Sequence, residues 1–286
     1  MSPARADPVG TVLRDYLRGE SDALAAVLTE PDSLVDPLAV HRCRVAARRL
    51  RGVLGAYADH APAAPGLRTA LRHAGRTLGD LRSLDVLADR FGGHPDLSAE
   101  LARQRAEALS GAVRALPARR TEHLLGRLDA LLAGGGWSST DAAEAGEAVL
   151  ARELARVRRR AARAEAVAGA EAVAGAEAVA GAEAVAGAAP GAGRDAERNA
   201  ALHEVRKAAK RLRYSADVVS GRVPEAEGTA ARARAVQDVL GAHNDVVAAR
   251  AWLAGLVVRR PDLTIPELEA SDPAAGDAAL AELLGL

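Results

Sequence analysis

Aromatic residues are nearly absent from this sequence: they make up 2% of its 286 residues, as one Phe, three Tyr and two Trp. A core must then be filled with Leu, Val and Ala, which suits helices packed on helices. It argues against a β-sandwich, whose strands draw on aromatic and β-branched side chains. Cysteine is as scarce. The single Cys43 excludes an internal disulfide and fits a reducing compartment. Neither sign of charge is in excess, with 38 Lys plus Arg against 38 Asp plus Glu, so no long-range field of the whole molecule gathers nucleic acid. No apolar run reaches the ~18 residues of a membrane span, and the N-terminus has no leader pattern. The expectation is a soluble, cytoplasmic protein with no membrane partner.

What is present is helical periodicity. Helices are expected at about Thr11–Glu30, Pro37–Asp59, Gly66–Phe91, Leu97–Leu116 and Ala118–Ala133. A second set is expected at about Thr140–Ala164, Arg198–Ser220, Pro224–Leu240, His243–Arg259 and Asp277–Leu284. Residues 165–188 are four copies of EAVAGA. A six-residue period turns each copy by about 240°, so no fixed apolar face forms, and each Gly costs helix about 1 kcal/mol. This tract reads as a frayed low-complexity linker over residues 165–193, with no site in it.

With the tract set aside, an internal duplication emerges. VHRCRVAARRLR (Val40–Arg51) matches LHEVRKAAKRLR (Leu202–Arg213) at an offset of 162, which also carries Leu78-Gly79 onto Leu240-Gly241. Two helical repeats are expected, one over residues 1–139 and one over 140–286, each a bundle.

The repeated helix carries the chemistry. On a helical wheel His41, Arg44, Arg48 and Arg51 fall within about 80° of arc. The opposite face holds Cys43, Ala46, Ala47, Leu50, Val53, Leu54 and Tyr57. The second copy repeats the layout with His203, Arg206, Lys210 and Arg213 against Val205, Ala208, Ala209, Leu212 and Val219. Arg49 flanks the first stripe; Lys207 and Arg211 flank the second. The following helix adds Arg68, Arg72 and Arg76, with Arg82 beyond; in the second half only Arg234 matches, and Asp238 stands in place of Arg76. Cations at this density repel one another by a few tenths of a kcal/mol per neighbouring pair. A charge run is usually a solvated face, but two copies at identical spacing point to a ligand as the missing counter-anion. Arg offers a planar fork to phosphate oxygens, Lys a compact charge, and His a group that gains charge beside a polyanion. The chain's only two Lys residues, Lys207 and Lys210, both lie in the second motif.

At these residues the sequence resembles the CHAD family, an α-helical domain with characteristic histidines. The strings VHRCRVAARRLR, LHEVRKAAKRLRY, LGDLRSLDVL and LGAHNDVV carry the likeness, which spans Val12 to about Arg259. The resemblance implies an all-α fold of two four-helix bundles related by a pseudo-twofold, with a basic cleft or pore between them that holds inorganic polyphosphate without a cofactor. It implies binding by His41, Arg44, Arg48, Arg49, Arg51, His203, Arg206, Lys207, Lys210, Arg211, Arg213 and Tyr214, with Arg72, Arg76 and Arg82 added from the next helix. Ser83 departs from the family, which often has an acid after Arg82. The Glu-x-Glu-x-Lys signature of the triphosphate-hydrolysing CYTH domain that often accompanies such domains does not occur, so the chain reads as a stand-alone binding module. Association with polyphosphate granules also follows from the resemblance alone. Homo-oligomerisation stays open.

Three rivals are weighed. A metal-dependent phosphohydrolase would need His41, His203, His243 or Asp245 as ligands, yet guanidinium groups around them repel a divalent cation. Asn244 and Asp245 read instead as a cap on the next helix, or as groups that orient a cation of the site. A nucleic-acid binder would want stacking aromatics, and only Tyr214 lies beside a stripe. A scaffold for acidic partners fits the two stripes as well. No nucleophile or paired carboxylates can be assembled from the motif, so the expected function is binding without catalysis.

Overall fold

The computed structural model describes the backbone of residues 7–180, 192–261, 263, 266 and 273–285. Every named element among them is helical; the one β contact is an isolated bridge between Pro8 and Asp141. The chain divides into two compact units.

The first unit takes in Met1–Val149, Val218–Val223 and Arg260–Thr264. Its helices are α1 (Val9–Leu28), α2 (Pro37–Ala56), α3 (Leu67–Phe91), α4 (Pro95–Ala115) and α5 (Ala118–Ala133). α2 packs between α1 and α3, and α3 also rests on α4. α2 starts where it does because the Asp36 carboxylate accepts hydrogen bonds from the free N–H groups of Leu38 and Ala39 at 2.9 and 3.1 Å, with Pro37 at the first helical position. Each residue expected on the packing face of α2, from Cys43 to Tyr57, is buried, as are Leu67, Leu71, Ala74, Leu78 and Leu81 of α3. Burial raises the Cys43 thiol to about 12, so it is an inert core residue.

The second unit comprises Leu150–Asp217, Pro224–Arg259 and Ile265–Leu286. It holds most of α6 (Ala142–Ala180), nearly all of α7 (Ala192–Val218), and α8 (Ala226–Arg259) and α9 (Pro273–Leu284). Val205, Ala208, Ala209 and Leu212 of α7 are buried as expected, along with Val236, Leu240, Leu253 and Leu256 of α8.

Two expectations about helix ends are corrected. α8 runs unbroken through Leu240-Gly241, where a break was expected. A lone interior Gly costs about 1 kcal/mol, which a packed helix absorbs. α6 likewise stays helical through Ala180, inside the tract read as a frayed linker. Four of every six positions there are Ala or Glu, both strong helix formers, and they outweigh Gly169 and Gly175. Residues 181–188 of the tract lie outside the described residues.

Candidate polyanion-binding site

Among the described residues, each unit carries a basic face on its motif helix. In the first, α2 presents His41, Arg44, Arg48 and Arg51 toward the side on which α3 presents its arginines. The electrostatics show that the two sets meet. Arg51 is held below its ordinary value by burial and then by Arg72, Arg48, Arg68 and Arg76. Arg44 is pushed down to about 10, chiefly by burial, then by Arg48 and Arg82, with Asp80 opposing. His41 is lowered from 6.5 by burial and by Arg82, Arg48 and Arg44. Among the described residues no carboxylate comes within 4.0 Å of Arg44, Arg48, Arg51, Arg72 or Arg76, and only Asp89 reaches that distance from Arg82. The half-buried guanidinium of Arg44 lies along α3, with Nη1 3.4 Å from the Gly75 carbonyl, and its buried Nε has no hydrogen-bond partner among the described residues. A cation taken out of water without a counter-charge is costly, and an external anion at this face would relieve it.

The second face is partly neutralised. α7 supplies His203, Arg206, Lys207, Lys210 and Arg213. Lys207 donates to Glu204 at 2.6 Å. On α8, Arg234 reaches Asp238 at 3.7 Å, so this helix adds no free cation at the positions matching Arg72 and Arg76. His203 Nδ1 lies 3.3 Å from Asn244 Oδ1, and Asn244 Nδ2 donates to the Leu240 carbonyl at 2.6 Å. The second contact fixes the amide's orientation, so its oxygen accepts from Nδ1–H and leaves His203 Nε2 unclaimed by this pair. Asn244 thus orients a site histidine and caps nothing, because α8 does not begin there. Burial, then Lys207, lowers His203 despite the opposing hydrogen bond.

Three residues expected at the site have contacts or burial of their own. Arg49 donates to Glu20 of α1 at 2.7 Å. Arg211 meets Glu153 of α6 at 2.8 Å, and Glu153 is fully buried with Arg156 at 3.1 Å on its other side. Each arginine lies 100° past the stripe's Arg48 or Lys210, which turns it toward a neighbouring helix and a carboxylate that matches its charge. Tyr214 is 2% exposed, so its ring cannot meet a ligand; it supports the Arg213 guanidinium, 5.0 Å above its centroid. Glu20, Glu153 and their role went unseen in the sequence, because acids on α1 and α6 stand far from the motifs they serve.

No group of three or more His, Cys, Asp or Glu that could hold a metal forms among the described residues. His243 instead meets Asn199 at 2.6 Å. No described helix is long and apolar enough to cross a membrane.

Known proteins share this architecture. The CHAD domain from the plant Ricinus communis superposes with a TM-score of 0.64 at 21% identity, over 100% of this chain and 88% of that one. PptA from Streptomyces chartreusis follows at 0.61 and 20%, covering 97% and 93%. The uncharacterized proteins MT2285 and Rv2226 of Mycobacterium tuberculosis (strains CDC 1551 / Oshkosh and ATCC 25618 / H37Rv) are each 31% identical over 235 residues. This chain spans 40% of their length, and the alignment takes up 75% of its own. The CHAD domain model matches residues 17–254, which include both basic helices, α3 and most of α8, and the chain belongs to the CHAD domain family.

Proposed function

We propose that this protein binds inorganic polyphosphate through the basic faces of α2–α3 and α7–α8 and does not hydrolyse it. The observation that carries the reading is the first face: burial and then neighbouring cations on two helices lower Arg44 and Arg51, with no described carboxylate within 4.0 Å of Arg44, Arg48, Arg51, Arg72 or Arg76. A chain of phosphates supplies repeated negative charge to such a face, and each Arg can fork two phosphate oxygens. Nucleic acid would offer the same charge, but the one aromatic beside a stripe, Tyr214, is buried and offers no stacking platform. The single cleft shared by two pseudo-twofold-related bundles, with all that it implies for long polymers, is part of this proposal and rests on the family resemblance.

The test is a titration with polyphosphate of several lengths and with single-stranded DNA, each at several salt concentrations. Five or more phosphate contacts give a log–log salt slope of about −3.5 or steeper. A flat slope, or equal affinity for DNA, would defeat the reading. If both faces grip one polymer, affinity climbs by about 10²–10⁴ once the chain is long enough to engage both. Orthophosphate release that tracks the pure protein, with or without Mg²⁺, would overturn the non-catalytic part.

A further inference from the structure

The two glycines that share the motif's spacing have a use that neither helix ending nor turn formation explains. Gly79 and Gly241 both lie inside continuous helices, α3 and α8. A β-carbon built on Gly79 would stand 2.7 Å from Arg44 Nη1, and one on Gly241 would stand 3.1 Å from Arg206 Nη2. Arg44 and Arg206 occupy the same place in the two copies of the motif. The bare backbone is therefore found twice, facing the same guanidinium each time. Gly228 and Gly255 also approach a guanidinium, at 3.3 and 3.5 Å, but there the arginine is Arg232 or Arg259 of the same helix; Gly126 of α5 has nothing within 4 Å of its hypothetical β-carbon.

We infer that Gly79 and Gly241 are positioning residues of the anion site: each leaves a notch in its helix in which the arginine of the neighbouring basic helix is seated. The inference rests on the proposed polyphosphate reading and names what shapes that site. Sequence alone marks glycine as a weakness in a helix, and the structure shows what the weakness accommodates. Seated in the notch, Arg44 has few rotamers open to it, so less freedom is lost when an anion arrives. With Ala at position 79 the helix gains propensity, while the guanidinium, being the far end of a flexible side chain, must swing away. Fold and site then respond in opposite directions, which ordinary core packing does not produce. Position 241, with its longer 3.1 Å approach, should respond less than position 79.

The experiment compares the full chain with Gly79→Ala, Gly241→Ala, Arg44→Ala, the Gly79→Ala/Arg44→Ala double variant, and Gly126→Ala as control. Three quantities are read: melting temperature, affinity for long-chain polyphosphate, and the rate at which Arg44 reacts with an arginine-selective dicarbonyl reagent in the ligand-free protein, by peptide mass spectrometry. Gly79→Ala should melt at or above wild type, bind about two- to tenfold more weakly, and expose Arg44 to faster modification. Gly126→Ala should leave binding alone, and Gly79→Ala should add no loss when Arg44 is already Ala. An unchanged Arg44 reaction rate, or a loss of melting temperature alongside binding, overturns the notch. So does an equal loss in the Arg44→Ala background. Should wild type bind no polyphosphate at all, the proposed function fails, while the modification rate still decides whether Gly79 seats Arg44.

Discussion

Arg51→Gln should make the ligand-free protein more stable and the ligand-bound protein less so. Arg51 sits half-buried where Arg72, Arg48, Arg68 and Arg76 all press on its charge, and no described carboxylate is within ion-pairing distance. Solvent screening at a half-buried group holds each repulsion to a few tenths of a kcal/mol, so removing the charge while keeping most of the side chain's bulk gains about 0.5–1 kcal/mol. For units of this size the gain raises the melting temperature by about 1–4 °C in low salt. High salt should erase most of it, since the repulsion is screened. With polyphosphate the sign reverses. The variant loses a charge-assisted hydrogen bond to phosphate, about tenfold in affinity after allowing for exposure to solvent. Binding at a hundred times Kd stabilises by about 2.7 kcal/mol, and a tenfold weaker site forfeits about 1.4 of that. Calorimetry at one fixed polyphosphate concentration should therefore show wild type overtaking the variant that outlasts it without ligand. Should Arg51→Gln melt lower in both conditions, Arg51 is a packing residue and the cationic face has been misjudged. Should the order fail to invert, Arg51 does not touch the polymer.

Two other expectations follow from particular contacts. Burial and neighbouring cations hold His41 and His203 below 6.5, so the unfolded chain takes up protons first; ligand-free stability is full above about pH 6.5 and declines as pH falls through it toward the folded values. Polyphosphate favours the imidazolium forms, so its affinity should rise over the same window, and His41→Ala with His203→Ala should flatten that rise in a titration at constant salt. Arg211→Met strands the fully buried Glu153 with Arg156 as its remaining partner and should cost about 3 kcal/mol by denaturant melt. The same variant should leave the polyphosphate salt slope unchanged, and a shallower slope would return Arg211 to the binding surface.

The packing faces were legible because they depend only on helical period: Cys43, Ala47, Leu50 and Tyr57 share one side of a wheel, and all four are buried. The cationic stripe was legible for the same reason. What the period could not separate is a stripe from its margins. Arg48 and Arg49 are neighbours of identical type, yet one lies among cations and the other meets Glu20 on a different helix. Nothing local distinguishes them; the partner is 29 residues away. Tyr214 failed similarly, being one step past the stripe and so turned into the core. The break expected at Gly241 came from treating glycine as a terminator, although the aligned Gly79 was already expected inside a helix. Carrying that reading across the repeat would have joined the two halves of α8.

How a chain with no net charge comes to present a cationic face is a question of sorting. Arginines that point toward neighbouring helices find acids: Arg49 with Glu20, Arg211 with Glu153, and Arg105 with the buried Asp85 at 2.7 Å. Out on the surface, Arg103 is taken by Glu100 and Glu107, and Arg234 by Asp238. Pairings of this kind hold helices together or keep the exterior neutral. The α2–α3 face is left out of the sorting, since Arg44, Arg48, Arg51, Arg72 and Arg76 have no described acid at ion-pair distance. A globally basic protein would draw in any polyanion through its long-range field. A neutral one with a confined cationic face discriminates at contact, where density of charge along the ligand decides. Polyphosphate bears a charge at every short repeat and has no bases to accommodate, so it suits a face that packs cations closely and offers nothing to stack upon.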